Sequence, residues 1–137
     1  DSVDYPDFAH KLTKQVLKNR KNVGILICGT GVGMSIAANR KKGIRAGLAN
    51  NSKIARLIRK HNDANVLVLP GRFINTSEAK KSVRAFISTK FESGRHKRRI
   101  KKNKKSDSLF WGMGYWTRAN NEICLLATKG KPKKDGI

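Results

Sequence analysis

With 137 residues, 31 Lys and Arg against 9 Asp and Glu, and a formal net charge of +22, the chain has room for one ordinary core and little more. Its 38% hydrophobic content falls below the roughly 45–50% of an average soluble domain, which assigns part of the chain to a solvated basic extension. No apolar run approaches the ~18 residues of a membrane span, and the acidic start Asp1-Ser2-Val3-Asp4-Tyr5-Pro6 has neither the positive nor the apolar part of a secretory signal. The first residue is not Met, so the chain is expected to begin after processing or part-way through a longer protein. Cys28 and Cys124 are far apart in unlike surroundings. They support neither a disulfide framework nor a paired zinc site, and a reducing cytoplasm is the default location. Charge alone makes a nucleic acid the first partner to consider.

In chain order, Phe8, Leu12, Val16 and Leu17 recur at helical spacing and predict a helix over Asp7 to Arg20, with Pro6 tolerated in its first turn. Val23 to Cys28 is a short apolar run closed by Gly29-Thr30-Gly31-Val32-Gly33, which reads as a buried parallel strand ending in a tight loop. A helix is expected over Met34 to Lys41, a strand over Ile44 to Ala49, and a helix over Ser52 to Lys60 on the spacing Ile54, Leu57 and Ile58. A third strand, Asn65 to Leu69, closes at Pro70-Gly71. A helix from Thr76 to Phe91 turns Ala79, Val83, Phe86 and Ile87 to the core. Strand and helix alternating in this way predict an α/β fold, an open parallel sheet with helices on both faces. Gly94 to Lys105 is almost all Lys, Arg and His and is expected to stay out of the core. Ser108 to Ile137 changes character again, with Phe110, Trp111, Tyr115 and Trp116 in seven positions and a strand candidate at Ile123-Cys124-Leu125-Leu126. The resulting division is 1–100 as an α/β domain, 101–107 as a basic linker, and 108–137 as a separate aromatic tail of β type.

Three constellations carry chemistry. At Cys28-Gly29-Thr30-Gly31-Val32-Gly33 the glycines admit close approach of a ligand, and the following helix start presents free N–H groups suited to an anion. The spacing matches neither the dinucleotide fingerprint nor a P-loop. A cysteine there has its thiolate stabilised and could serve as base or nucleophile, or be a buried structural residue. His61 and Asn62 follow a helix and precede a strand, at the sheet edge opposite the carboxyl ends, where a capping role competes with a catalytic one. Arg95 and Arg99, four apart, share a helical face and could clamp a phosphate, or form a solvated basic helix.

Taken together, Gly24 to Arg40, Lys42 to Ala46, Arg59 to Leu67 and Gly94-Arg95-His96 closely resemble the ribose-5-phosphate isomerase B family, which includes the galactose-6-phosphate isomerase subunits. The resemblance runs from residue 4 to about 100. It implies a Rossmann-like three-layer sandwich and an aldose–ketose isomerisation of a phosphorylated sugar, without metal or other cofactor, through an enediolate. By that resemblance Cys28 matches the base that moves the proton and Thr30, with the N–H groups around Gly29, Gly31 and Gly33, the loop that stabilises the enediolate. His61 matches the ring-opening residue, with Asn62 beside it. Arg95 and Arg99 match the phosphate pair and Arg72 another arginine at the site. The family completes its site across a dimer interface, so a homodimer or tetramer is implied. The family's first strand, with its Asp-His pair, precedes the matching region and is expected to be missing from the sheet, and Pro70 stands where the family usually has Gly.

The tail from Phe110 to Pro132 resembles an internal segment of adenine amino-group methyltransferases, but no Asp-Pro-Pro-aromatic motif occurs in the chain. Isomerase is therefore the first expectation. A nucleic-acid-binding protein, using the basic 95–105 run, and an inactive chimera carrying a methyltransferase remnant are the alternatives.

Overall fold

The computed structural model describes residues 3–104. The elements are α1 (Tyr5–Leu17), β1 (Gly24–Cys28), α2 (Val32–Asn39), β2 (Ala46–Leu48), α3 (Ser52–Asn62), β3 (Val66–Pro70), α4 (Thr76–Ser88) and α5 (Gly94–Lys104). The α/β alternation expected from the sequence is present, with boundaries moved by a few residues. The fourth long helix stops at Ser88, short of Phe91. The tail from Ser108 onward, with its strand candidate, lies outside the described residues.

The three strands form a parallel sheet in the order β1-β3-β2. Gly24 to Cys28 pair with Val66 to Pro70, and Ala46 to Leu48 with Val66 to Val68. As the middle strand, β3 is buried along its whole length, which accounts for its uninterrupted apolar sequence. Alternation along it feeds two cores. Val66 and Val68 join Ala9, Val16, Leu26, Met34 and Ala38 under α1 and α2, whereas Leu67 and Leu69 join Ala55, Ala64 and Phe86 under α3 and α4. The chain leaves β1 towards the α1–α2 face and leaves the adjacent β3 towards the α3–α4 face. Such a reversal between neighbouring strands opens a crevice at their carboxyl ends, the usual ligand position in open parallel sheets.

Helical spacing found the helices but overstated what they bury. On α1 the buried positions are Ala9, Thr13 and Val16, while Phe8 and Leu17 remain exposed. Ile87 of α4 and Ile54 and Leu57 of α3 are likewise exposed. Small residues hold the buried positions, Ala9 on α1, Ala55 on α3, and Ser82 and Ala85 on α4, because they let a helix approach its neighbours closely.

The α3–α4 pair is locked at its amino ends. Asn51 and Asn75 cap the two helices by accepting from the N–H groups of Ile54 and Glu78. Glu78 then reaches across, its Oε1 accepting from the Ser52 N–H at 2.7 Å. That bond holds the Glu78 carboxyl below its ordinary value near 4.5. A lowered carboxyl pKa gives stability that is present above the unfolded value and lost as pH falls through the folded one. Denaturant titrations between about pH 6 and pH 3 should therefore show wild type losing stability below about 4.5 more steeply than Glu78→Gln. Equal slopes would remove Glu78 as a source of the acid sensitivity.

Candidate active site

At the carboxyl edge, Cys28 ends β1 in register with Pro70, on the side of the sheet covered by α1 and α2. Its side chain is half-buried and is a free thiol. Two backbone bonds draw the neighbouring loop over it, with the Gly71 N–H donating to the Cys28 carbonyl at 2.8 Å and the Arg72 N–H to that of Gly29 at 3.0 Å. The Arg72 side chain then lies over the glycine turn, since a Cβ at Gly29 would meet its Nε at 3.3 Å. Gly31 needs to be glycine on two counts. Its φ is +76°, and a Cβ there would come within 2.5 Å of Leu48 Cδ1.

Gly31 is also the N-cap of α2 and supplies no capping side chain, while the first turn of α2 holds no acidic residue. The Thr30 hydroxyl accepts from the Val32 N–H at 3.3 Å. The helix start is therefore electropositive and suited to an anion. Tyr5 packs against it, close enough that a Cβ at Gly33 would be 2.7 Å from the ring. Sequence reasoning did not single out Tyr5.

The second group lies at the amino edge. His61 and Asn62 form the last turn of α3, from which the chain passes through Asp63, Ala64 and Asn65 into β3. His61 is half-buried and Asn62 exposed. Asp63 fixes the turn: it adopts φ +47°, its Oδ2 takes Arg45 Nη2 and its Oδ1 takes Arg59 Nη1, each at 2.7 Å. Asn65 adds a bond from its Nδ2 to the Gly43 carbonyl and accepts the Arg45 N–H. Asp63→Ala removes two charge-assisted bonds that are about one-third exposed, so a loss of about 1–2 kcal/mol in chemical denaturation is expected, and less for Asp63→Asn. A change within error for the alanine variant would mean that the clamp is decorative.

Helix α5 packs its first turn against this corner. His96 stacks on His61 with ring centroids 4.3 Å apart and an interplanar angle of 10°. Although the sequence around it is almost wholly basic and expected to remain outside any core, His96 is 7% exposed. The reason is this stacking partner. Burial, followed by the charges of His61, Arg95 and Arg99, pushes its pKa down, and Glu92 opposes the shift. Arg95 and Arg99 are exposed on the same helix. Glu92 Oε2 stands 3.6 Å from His61 Nε2 and 3.9 Å from His96 Nε2. Sequence reasoning singled out His61 and the arginines and assigned no role to Glu92 or His96. The available signal was Glu92-x-x-x-His96, four apart, but it becomes visible only once α5 meets α3.

The structure thus brings Cys28, Gly29, Thr30, Gly31, Gly33 and Arg72 together at one edge. His61 and Asn62 stand at the other, where α5 carries Arg95 and Arg99. A family model described as Ribose/Galactose Isomerase matches residues 1–103. The chain belongs to that family. A probable ribose-5-phosphate isomerase B of Mycoplasma genitalium is 53% identical over 100 residues, covering 72% of this chain and 66% of the relative. The ribose-5-phosphate isomerase B of Escherichia coli is 43% identical over 100 residues, 73% of this chain and 67% of the relative. Among solved structures, that of ribose 5-phosphate isomerase from Thermotoga maritima aligns with a TM-score of 0.72 and 57% identity over 74% of this chain and 70% of that one. That of the Mycoplasma genitalium enzyme with bound ribulose-5-phosphate aligns with a TM-score of 0.74 and 47% identity over 78% and 72%. The chain spans 66% and 65% of the lengths of the relatives from Mycoplasma genitalium and Mycoplasma pneumoniae, just under two thirds.

Proposed function

We propose that the chain is an aldose–ketose isomerase of phosphorylated sugars that interconverts ribose 5-phosphate and ribulose 5-phosphate. One observation carries the reading: a cysteine at a strand end, beside a helix start whose N-cap is a glycine and next to a glycine turn covered by an arginine, in the crevice where neighbouring strands send their chains to opposite faces. Family membership and the ribulose-5-phosphate complex of a relative support the choice of substrate. In this reading the Cys28 thiolate removes the proton from C2 of the open-chain aldose and returns it to C1, as the hydroxyl proton passes from O2 to O1. The enediolate between these steps is negatively charged. The Thr30 hydroxyl and the N–H groups of the Gly29–Gly33 turn stabilise it, with Arg72 adding positive charge. His61 opens the furanose by moving a proton from the C1 hydroxyl to the ring oxygen, Asn62 orients the sugar, and Arg95 and Arg99 hold the phosphate.

A single copy cannot gather these groups around one sugar. The five residues of β3 span about 16 Å between the two edges, more than a pentose phosphate bridges while reacting at both ends. The proposal therefore includes a two-fold dimer in which the His61 edge of one protomer faces the Cys28 loop of the other. Exposed Val32 and Ile36 on α2, beside that loop, supply apolar surface for such a contact.

The test is incubation of the purified chain with ribose 5-phosphate in deuterated water. Formation of ribulose 5-phosphate with solvent exchange at the transferred position is the expected result. Neither conversion nor exchange would overturn the proposal.

A further inference from the structure

Among the described positions 94–102 of α5, His96 is the one buried residue, while Arg95, Lys97, Arg98 and Arg99 around it are exposed. What it covers is the ring of His61, at a centroid distance of 4.3 Å and an interplanar angle of 10°. The chain is bent to bring this about. The Glu92 N–H donates to the Lys60 carbonyl at 2.9 Å, which pins the segment beside His61, and Ser93 and Gly94, at φ +67° and +51°, turn the chain into α5. A serine in the left-handed region is uncommon, and such residues persist where the surrounding structure over-determines them, often at functional sites. The stack, rather than a hydrogen bond to Glu92, sets the plane of His61. Glu92 Oε2 is 3.6 Å from His61 Nε2, beyond hydrogen-bond range, and the same oxygen is shared with Lys60 Nζ at 3.4 Å and His96 Nε2 at 3.9 Å.

We infer that His96 is a positioning residue for the ring-opening step, its buried ring holding the His61 imidazole in one plane so that the His61 nitrogens keep a fixed direction toward the furanose; this rests on the role proposed above for His61. Proton transfer weakens steeply when the transferring nitrogen is misdirected, so a rotating imidazole is a poor substitute for a held one. A neutral ring is also the right neighbour. Its face attracts the positive charge that His61 carries midway through the transfer, whereas a charged ring would repel it. Burial first, then His61, Arg95 and Arg99, disfavour a proton on His96, against the pull of Glu92. Nothing in this role uses the nitrogens of His96, so a flat apolar ring should replace it.

The test compares turnover of ribose 5-phosphate with deuterium entry at C1 of ribulose 5-phosphate in deuterated water, for the full chain and its His96→Ala, His96→Leu, His96→Phe and His61→Ala variants, each checked for folding by circular dichroism. Ribulose 5-phosphate carries its phosphate on the C5 oxygen and forms no furanose, so exchange at C1 needs Cys28 and no ring opening. Turnover is expected to be about 10–100-fold lower in His96→Ala and His96→Leu and to return to within about threefold in His96→Phe, with exchange and inorganic-phosphate affinity unchanged in all three. A folded His96→Ala chain with full turnover, beside a His61→Ala chain without it, would overturn the positioning role and leave that of His61 standing. Leucine serving as well as phenylalanine would remove the stack as the cause, and a joint fall of turnover, exchange and phosphate affinity would mean displacement of α5; either overturns the inference. Full turnover in His61→Ala would overturn the ring-opening reading and this inference with it.

Discussion

Cys28→Ala is expected to lower interconversion of ribose 5-phosphate and ribulose 5-phosphate by about 10³-fold or more, the upper part of the range for losing a positioned acid–base group. Alanine has no proton to exchange, and water in the crevice is a poorly placed substitute. Serine should fare no better, since its hydroxyl stays protonated where a thiol can ionise. The fold should survive, because Cys28 is half-buried at the margin of its cluster and a small side chain still covers the sheet, at a cost of about 1 kcal/mol. Phosphate affinity, read by titration of inorganic phosphate, should be unchanged, because Arg95 and Arg99 belong to α5 at the opposite edge. Retained turnover would remove the cysteine from the chemistry, while a parallel loss of phosphate affinity would point to structural damage instead.

Activity should reappear when two inactive variants are mixed. If each sugar lies between the Cys28 loop of one protomer and the His61 corner of its partner, a dimer of one Cys28→Ala chain and one His61→Ala chain contains one site with both residues intact and one with neither. Random re-pairing makes about half of all dimers mixed, so about a quarter of wild-type activity is expected after joint unfolding and refolding. The starting level of each variant alone is near zero with a ring-closed substrate. Mixing without recovery, although the chains demonstrably exchange, would mean that each site is built within one chain and that the two edges do not meet across a dimer.

The glycine turn and the alternation of strand and helix were readable because each is a local matter. Gly31 is demanded by its own φ, and a run as short as Val66 to Leu69, rich in Val and closed by Pro70-Gly71, reads as a strand buried on both faces. Even the placement of His61 away from Cys28 followed from chain direction, since a helix after a parallel strand returns to the opposite edge. By itself, then, the sequence determined the fold class, the Cys28 turn and the candidate arginines. Tertiary structure decided that β3 inserts between β1 and β2, and so where the crevice opens. It decided that Phe8 and Ile87 stay outside while Thr13 and Ser82 go in, because close packing of a helix on its neighbours favours small side chains that periodicity ranks below large ones. It also decided that Glu92 and His96 meet His61. Two residues in a basic, polar stretch carry no periodic signal, and their proximity arises only when α5 packs on the end of α3, which is a contact between distant parts of the chain.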